Sequence, residues 1–245
     1  MKLSINSVAL VAAAALAMNG CQSSSSRTPS DAAAEPGFVA AFVPDGARPS
    51  NPADAPDDWR LAFLDVETTG LVPGYHEMVD VGIVLTDLEG TILDSILVRV
   101  QPDHPERTSP EAAAVNDFEE VKWRGYGALS PQAAIDTLVA FHKRVVGDSP
   151  TLMVAHNSHF DAAFLDQLFR EGNRSWREMY YYYVLDLPSM AWMLGLRDLE
   201  GDRLSTRLGV EILPDGPDMH TGLRCATGNV NLYRGLLAEA RRQRQ

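Results

Sequence analysis

The sequence predicts an α/β fold: a mixed sheet of three antiparallel strands followed by two more, flanked by helices in one domain. Residues 61–65, 78–86 and 93–100 are short, apolar, β-branched segments bounded by Gly or Pro, which read as consecutive antiparallel strands. From Ser130 onward, helical periodicity alternates with further short apolar runs. The segment from Trp59 to the C-terminus is about 185 residues, a size suited to one core, and shows no internal repeat.

Each later element has its own signal. Ser130-Pro131 is an N-cap followed by a proline at the first helical position, and Ile135, Leu138, Val139 and Phe141 form an apolar face up to Gly147. Thr151–Ala155 reads as the fourth strand. Residues 161–171 read as a helix closed by Gly172, with Phe164, Leu165, Leu168 and Phe169 as its stripe. Residues 182–185 read as the fifth strand, and a last helix is expected over about 223–240. Along such a strand, the run Tyr180 to Tyr183 would bury two rings and expose two.

The first strand carries the chemistry. In Phe63-Leu64-Asp65-Val66-Glu67-Thr68-Thr69-Gly70 two carboxylates stand two residues apart in an apolar run. Residues i and i+2 of a strand share a face, so Asp65 and Glu67 point the same way at the strand end with Val66 behind them in the core. Paired carboxylates repel and resist desolvation, which a bound cation relieves, and hard oxygen ligands suit Mg²⁺ or Mn²⁺. The other reading of this segment alone is an edge strand with a solvated acidic face.

A second run, Val154-Ala155-His156-Asn157-Ser158-His159-Phe160-Asp161-Ala162-Ala163-Phe164-Leu165, follows about ninety residues on, and His220 comes late in the chain. In this order the motifs resemble the DnaQ-like, or DEDDh, 3′–5′ exonucleases, over residues 59 to about 240. Glu77 to Val84, Asp87-Leu88-Glu89-Gly90, Leu93 to Val100 and Val184-Leu185-Asp186 fit the same pattern. The resemblance implies a ribonuclease H-like sheet and two divalent ions. Asp65, Glu67 and Asp161 would hold them, His220 would be the general base, and Thr68, Thr69, Asn157 and Phe160 would contact substrate. It also implies that Cys225 stands where the family has its last metal-binding Asp, after the His and four intervening residues. If Cys225 is a ligand it favours Zn²⁺; otherwise it is a small filler on the last helix. Asp186 and Asp218 are the nearby alternatives for the missing carboxylate, with Asp186 favoured. Positions five apart on a helix diverge by about 140°, which places His220 on the loop ahead of the last helix; Gly216-Pro217 and Gly222 permit that loop.

The N-terminus suggests a compartment. Lys2, an apolar stretch from Val8 to Met18 and Gly20-Cys21 read as a signal peptide over 1–20, resembling a bacterial lipoprotein signal with Cys21 as the lipidated residue. Gln22 after it points to the outer membrane of the cell envelope, with simple secretion as the alternative. Residues 21–58, rich in Ser, Ala, Pro, Asp and Gly, read as a tether with one apolar patch at Phe38 to Val43, and 59–245 as the exonuclease-like domain. Membrane contact would be through the lipid alone.

The net charge of −12 argues against tight binding to long nucleic acid, and the expected substrate is a short single-stranded DNA or RNA 3′ end. Nothing in the sequence makes a strong case for an oligomer. Three functions remain open: a metal-dependent 3′–5′ exonuclease, a catalytically impaired exonuclease-like scaffold of the envelope, and a hydrolase of another phosphodiester or with an altered metal.

Overall fold

Strand β1 (Arg60–Thr68) occupies the middle of a five-stranded mixed sheet in a computed structural model that describes residues 49–212 and 220–245. The strand order is β3 (Ile92–Arg99), β2 (Met78–Thr86), β1, β4 (Thr151–Ala155), β5 (Val184–Asp186). The first three strands pair antiparallel, and β4 and β5 join in parallel. This is the predicted mixed sheet flanked by helices.

Alternation along β1 divides the core in two. Ala62, Leu64 and Val66 face a layer built on helices α3 (Pro131–Val146) and α4 (Ser158–Glu171). Leu61 and Phe63 face the opposite layer, made by α5 (Leu187–Met193), α6 (Gly201–Leu208) and α7 (Gly222–Gln243). A strand covered on both sides must be apolar on both, and β2 is buried along its whole length. Helix α3 starts as its sequence dictates: the Ser130 hydroxyl accepts from Ala133 N–H and Pro131 fills the first turn.

Several expectations need correction. Asp65 does not end its strand. The strand continues to Thr68 because β2 pairs with it to the end, with a register irregularity between Glu67 and Thr68. The fifth strand is Val184–Asp186, not 182–185, and the tyrosines before it do not alternate. Tyr180 is buried against His142 and Trp176, Tyr181 is half-buried edge-on to Trp59, and Tyr182 and Tyr183 are exposed, with successive centroids from Tyr181 to Tyr183 4.4 and 4.1 Å apart. Two short helices, α1 (Pro110–Asn116) and α2 (Glu120–Gly125), and α6 are additional to the elements read from the sequence.

Residues 49–58 close a turn against the start of β1, where the Trp59 indole N–H donates to the Ser50 carbonyl at 2.8 Å. The predicted signal segment, Cys21, the apolar patch at 38–43, and Gly216, Pro217 and Asp218 lie outside the described residues. Among the described residues no helix is long and apolar enough to cross a membrane.

Candidate active site and metal centre

The site forms where β1 outruns its parallel neighbour. Pairing of β1 with β4 stops at Phe63 and Val154. The Val66 N–H beyond it needs another acceptor, and Asp161 Oδ1, from the first turn of α4, supplies it at 3.1 Å. Asp161 is buried and thereby locked beside the two carboxylates of β1. Asn157, in the left-handed conformation at φ 69°, turns the chain from β4 into α4 and makes no side-chain cap. Asn tolerates that conformation better than most residues.

The opposite wall is α7. Gly82 of β2 lies across from Asp65, and a Cβ there would sit 1.9 Å from Leu223 N. A Cβ on Gly222 would lie 2.4 Å from the Asp65 carbonyl oxygen. Glycine at both positions therefore lets the start of α7 rest directly on the sheet backbone. Asp80, opposite Glu67 on β2, accepts the Gly222 N–H through Oδ1 at 2.9 Å, and Thr221 caps the helix. As expected, His220 falls on the connection just ahead of this helix and Cys225 on its first turns. Glu67, His220 and Cys225 offer ligand atoms that all lie within 4.8 Å of one another.

Charge is the dominant property of this cleft. Burial, then the negative charges of Asp161, Glu67 and Asp80, hold Asp65 well above the usual carboxylate range, partly offset by a hydrogen bond from the Cys225 thiol. Burial and Asp80 push Glu67 up to about 7, against a hydrogen bond from Asn116. Burial raises Asp80 to about 6, although Gly222 N–H and the Arg99 charge oppose it. Asp161 is raised by burial above all, with Glu67 and Asp186 adding to it. Burial, then Asp65, Glu67 and Asp80, keep the Cys225 thiol protonated at neutral pH. Asp80 Oδ2 is buried with no hydrogen-bond partner. Crowded carboxylates of this kind are relieved by a cation, so the residues present fit divalent metal ions.

The other predicted residues divide by what holds them. Thr69 is fully buried and its hydroxyl accepts from Glu77 N–H at 2.9 Å; the Thr68 hydroxyl donates to the Gly70 carbonyl at 2.7 Å. Both side chains are thus committed to the turn after β1, and so is the Thr69 backbone, whose N–H donates to the Glu77 carbonyl and whose carbonyl accepts from Ser109 N–H, each at 2.8 Å. Phe160 is half-buried against Phe164. Asp186 lies near Asp161, but its oxygens accept from Ser158 N–H at 3.1 Å and from Ser189 N–H at 3.0 Å, joining the starts of α4 and α5. Those bonds, with the Ser189 hydroxyl, outweigh burial and keep Asp186 below its ordinary pKa.

Two residues of the site were missed in the sequence. Asp80 had a visible signal, a carboxylate inside the apolar run Met78-Val79-Asp80-Val81. Asn116, at the end of α1, had none. Its amide donates to the Thr68 carbonyl at 2.8 Å and to the Glu67 carboxylate, while its oxygen accepts from Phe118 N–H at 3.1 Å.

Residues 62–190 match the Exonuclease family (RNase_T), and the chain belongs to that family. Its fold is shared with exonuclease I, at a TM-score of 0.61 and 15% identity over 75% of this chain and 42% of that one. The nuclease domain of 3'hExo, a DEDDh family member bound to rAMP, superposes at a TM-score of 0.61 with 14% identity, over 74% of this chain and 92% of that one. A 3'-exonuclease described in 3'-end-specific recognition of a histone mRNA stem-loop gives a TM-score of 0.57 at 15% identity, over 73% of this chain and 64% of that one. The chain thus spans less than half the length of exonuclease I. No curated protein sequence matches it.

Proposed function

We propose that this chain is a metal-dependent 3′–5′ exonuclease that removes nucleotides from the 3′ ends of single-stranded DNA or RNA. The observation that carries the reading is the convergence of Asp65 and Glu67 from β1 with Asp161 from α4, in one anionic cleft that His220 borders. Family membership, the 3'-end-specific recognition of a histone mRNA stem-loop named for one related structure and the rAMP bound in another support it.

Asp65, Glu67 and Asp161 would hold two divalent cations, Mg²⁺ or Mn²⁺, which would acidify an attacking water and offset charge on the leaving oxygen. The other steps belong to the chain's own groups. His220 takes the proton of the attacking water on a ring nitrogen, as a neutral imidazole can do. Asn116 holds the Glu67 carboxylate by its amide, and the Val66 N–H holds Asp161. Both carboxylates are then held in a fixed geometry for the cations they would bind, with little left to reorganise during reaction. Low net basicity suits capture of a short end rather than a long duplex. The N-terminal segment is proposed to be a lipoprotein signal that anchors the enzyme to the envelope through Cys21.

Linear and circular single-stranded DNA of the same sequence, incubated with the full chain and Mn²⁺, test the reading. Degradation of the linear form alone is expected; cutting of the circle, or of neither, would contradict it.

A second reading, an exonuclease-like scaffold with a disabled metal centre, is favoured by one observation. Cys225 donates its thiol proton to Asp65, where a further carboxylate would complete the ligand set. Cys225→Asp separates the two: Mg²⁺-dependent cleavage that rises in this variant identifies the thiol as the limiting defect. An inactive parent with an equally inactive variant supports the scaffold.

A further inference from the structure

One side of the anionic cleft is not built from hard oxygen alone. Glu67 on β1, His220 on the connection before α7 and Cys225 in its first turns bring a carboxylate oxygen, an imidazole nitrogen and a sulfur within 4.8 Å of one another. Mg²⁺ prefers an octahedron of oxygens and keeps several waters, whereas a compact N/O/S set fits four-coordinate ions of the Zn²⁺ class. An independent observation also calls for positive charge here. Asp80 packs behind the trio, its Oδ2 buried without a partner and its charge felt by both Glu67 and Cys225. Its other oxygen is already occupied by Gly222 N–H, so the carboxylate cannot turn away to find water.

We propose that Glu67, His220 and Cys225 form a site for a borderline-soft transition-metal ion, Zn²⁺ or Co²⁺, with Asp65 alongside and Asp80 as charge support behind. The inference deepens the reading of the cleft as a cation site and rests on it, but it concerns which ion the cleft selects. On binding, the S–H bond of Cys225 breaks, its proton passes to solvent and the sulfur lone pair bonds the ion. His220 then serves as a ligand, so the ion seated here differs in role from a hard ion held by Asp65, Glu67 and Asp161.

Co²⁺ titration of the full chain, followed by absorption, tests this without reference to cleavage. A thiolate-to-cobalt charge-transfer band should grow to saturation at one equivalent. One equivalent of Zn²⁺ should erase it, and about a thousandfold excess of Mg²⁺ should not. Cys225→Ser should abolish the band, Cys21→Ser should leave it intact, and His220→Ala should weaken Co²⁺ binding by about tenfold or more. An unchanged metal-free melting temperature checks that Cys225→Ser is folded; if it unfolds, His220→Ala carries the test. No band, a band that survives Cys225→Ser, or ready displacement by Mg²⁺ would overturn the proposal. A cobalt band in a protein that cleaves nothing would leave it standing while the nuclease reading fails. Mg²⁺-dependent cleavage without a band would do the reverse.

Discussion

Asp80 Oδ1 accepts the backbone N–H of Gly222 at 2.9 Å, across 142 positions of the chain, and so sets where α7 begins over the sheet. The bond works only because Gly82 and Gly222 let backbone meet backbone beside it. A fold-defining contact and the placement of His220 and Cys225 are therefore the same contact.

Gly82→Ala should break it. Its Cβ would fall 1.9 Å from Leu223 N, a main-chain atom that cannot swing aside. The expected loss is about 3 kcal/mol in urea unfolding, with α7 lifted from the sheet. Gly125→Ala on α2, where nothing lies within 4 Å, is the matched control and should stay within about 0.5 kcal/mol of the parent.

The crowded carboxylates give the metal-free protein a definite pH dependence. Glu67 is raised from 4.5 to about 7 and Asp80 from 3.8 to about 6, so the folded state binds more protons than the unfolded state between those values. Stability from these groups is fully present below pH 4 and is lost as pH rises through 6 to 7. In EDTA the melting temperature should fall from about pH 6 to pH 8, and added Mn²⁺ should restore it. Glu67→Gln and Asp80→Asn should each flatten the decline. An equally steep decline in both variants would remove these groups from the explanation.

His142 acts with the opposite sign. Burial, then the neighbouring Lys143, lowers it from 6.5 to about 4, and its Nδ1 has no partner in the core beside Tyr180. The unfolded chain therefore takes up a proton that the folded one refuses, and stability falls as pH drops from 6.5 toward 4. His142→Phe should remove this acid sensitivity, shown as a smaller loss of unfolding free energy between pH 6.5 and 4.5 than in the parent.

Asn116 should matter to turnover more than to folding. Asn116→Ala removes a hydrogen-bond donor from the Glu67 carboxylate and leaves the Thr68 carbonyl without the Asn116 amide. Turnover should drop by about 10- to 100-fold, with a stability cost of about 1–2 kcal/mol, read from initial rates and urea melts of the same preparation.

The legibility of this fold in its sequence follows the range of the forces involved. Met78–Thr86, Thr151–Ala155 and the span from Pro131 to Gly147 carry local signals, β-branched runs or an N-cap with proline, and they lie where those signals place them. Ser109-Pro110 is the same start signal as Ser130-Pro131, but α1 is only 7 residues long and leaves no apolar stripe to read. The tyrosine run looks like a strand by propensity, yet strand pairing begins only at Val184. In the site, Asp65, Glu67 and Asp161 were visible through their motifs and are brought together. Asp80 and Asn116 act through bonds to Gly222, Thr68 and Glu67 that only the assembled sheet and helices create.

Asp65→Asn is the most direct test of the proposed active site, because the substitution keeps the side-chain shape and removes one charge from the centre of the cluster. The measurement is cleavage of a 5′-labelled single-stranded oligonucleotide by the full chain and by this variant in Mn²⁺, with unfolding curves confirming that both are folded. A ladder shortening stepwise from the 3′ end in the parent and absent in the variant is the predicted result. An identical ladder from both proteins would contradict the assignment of the catalytic site to this cleft.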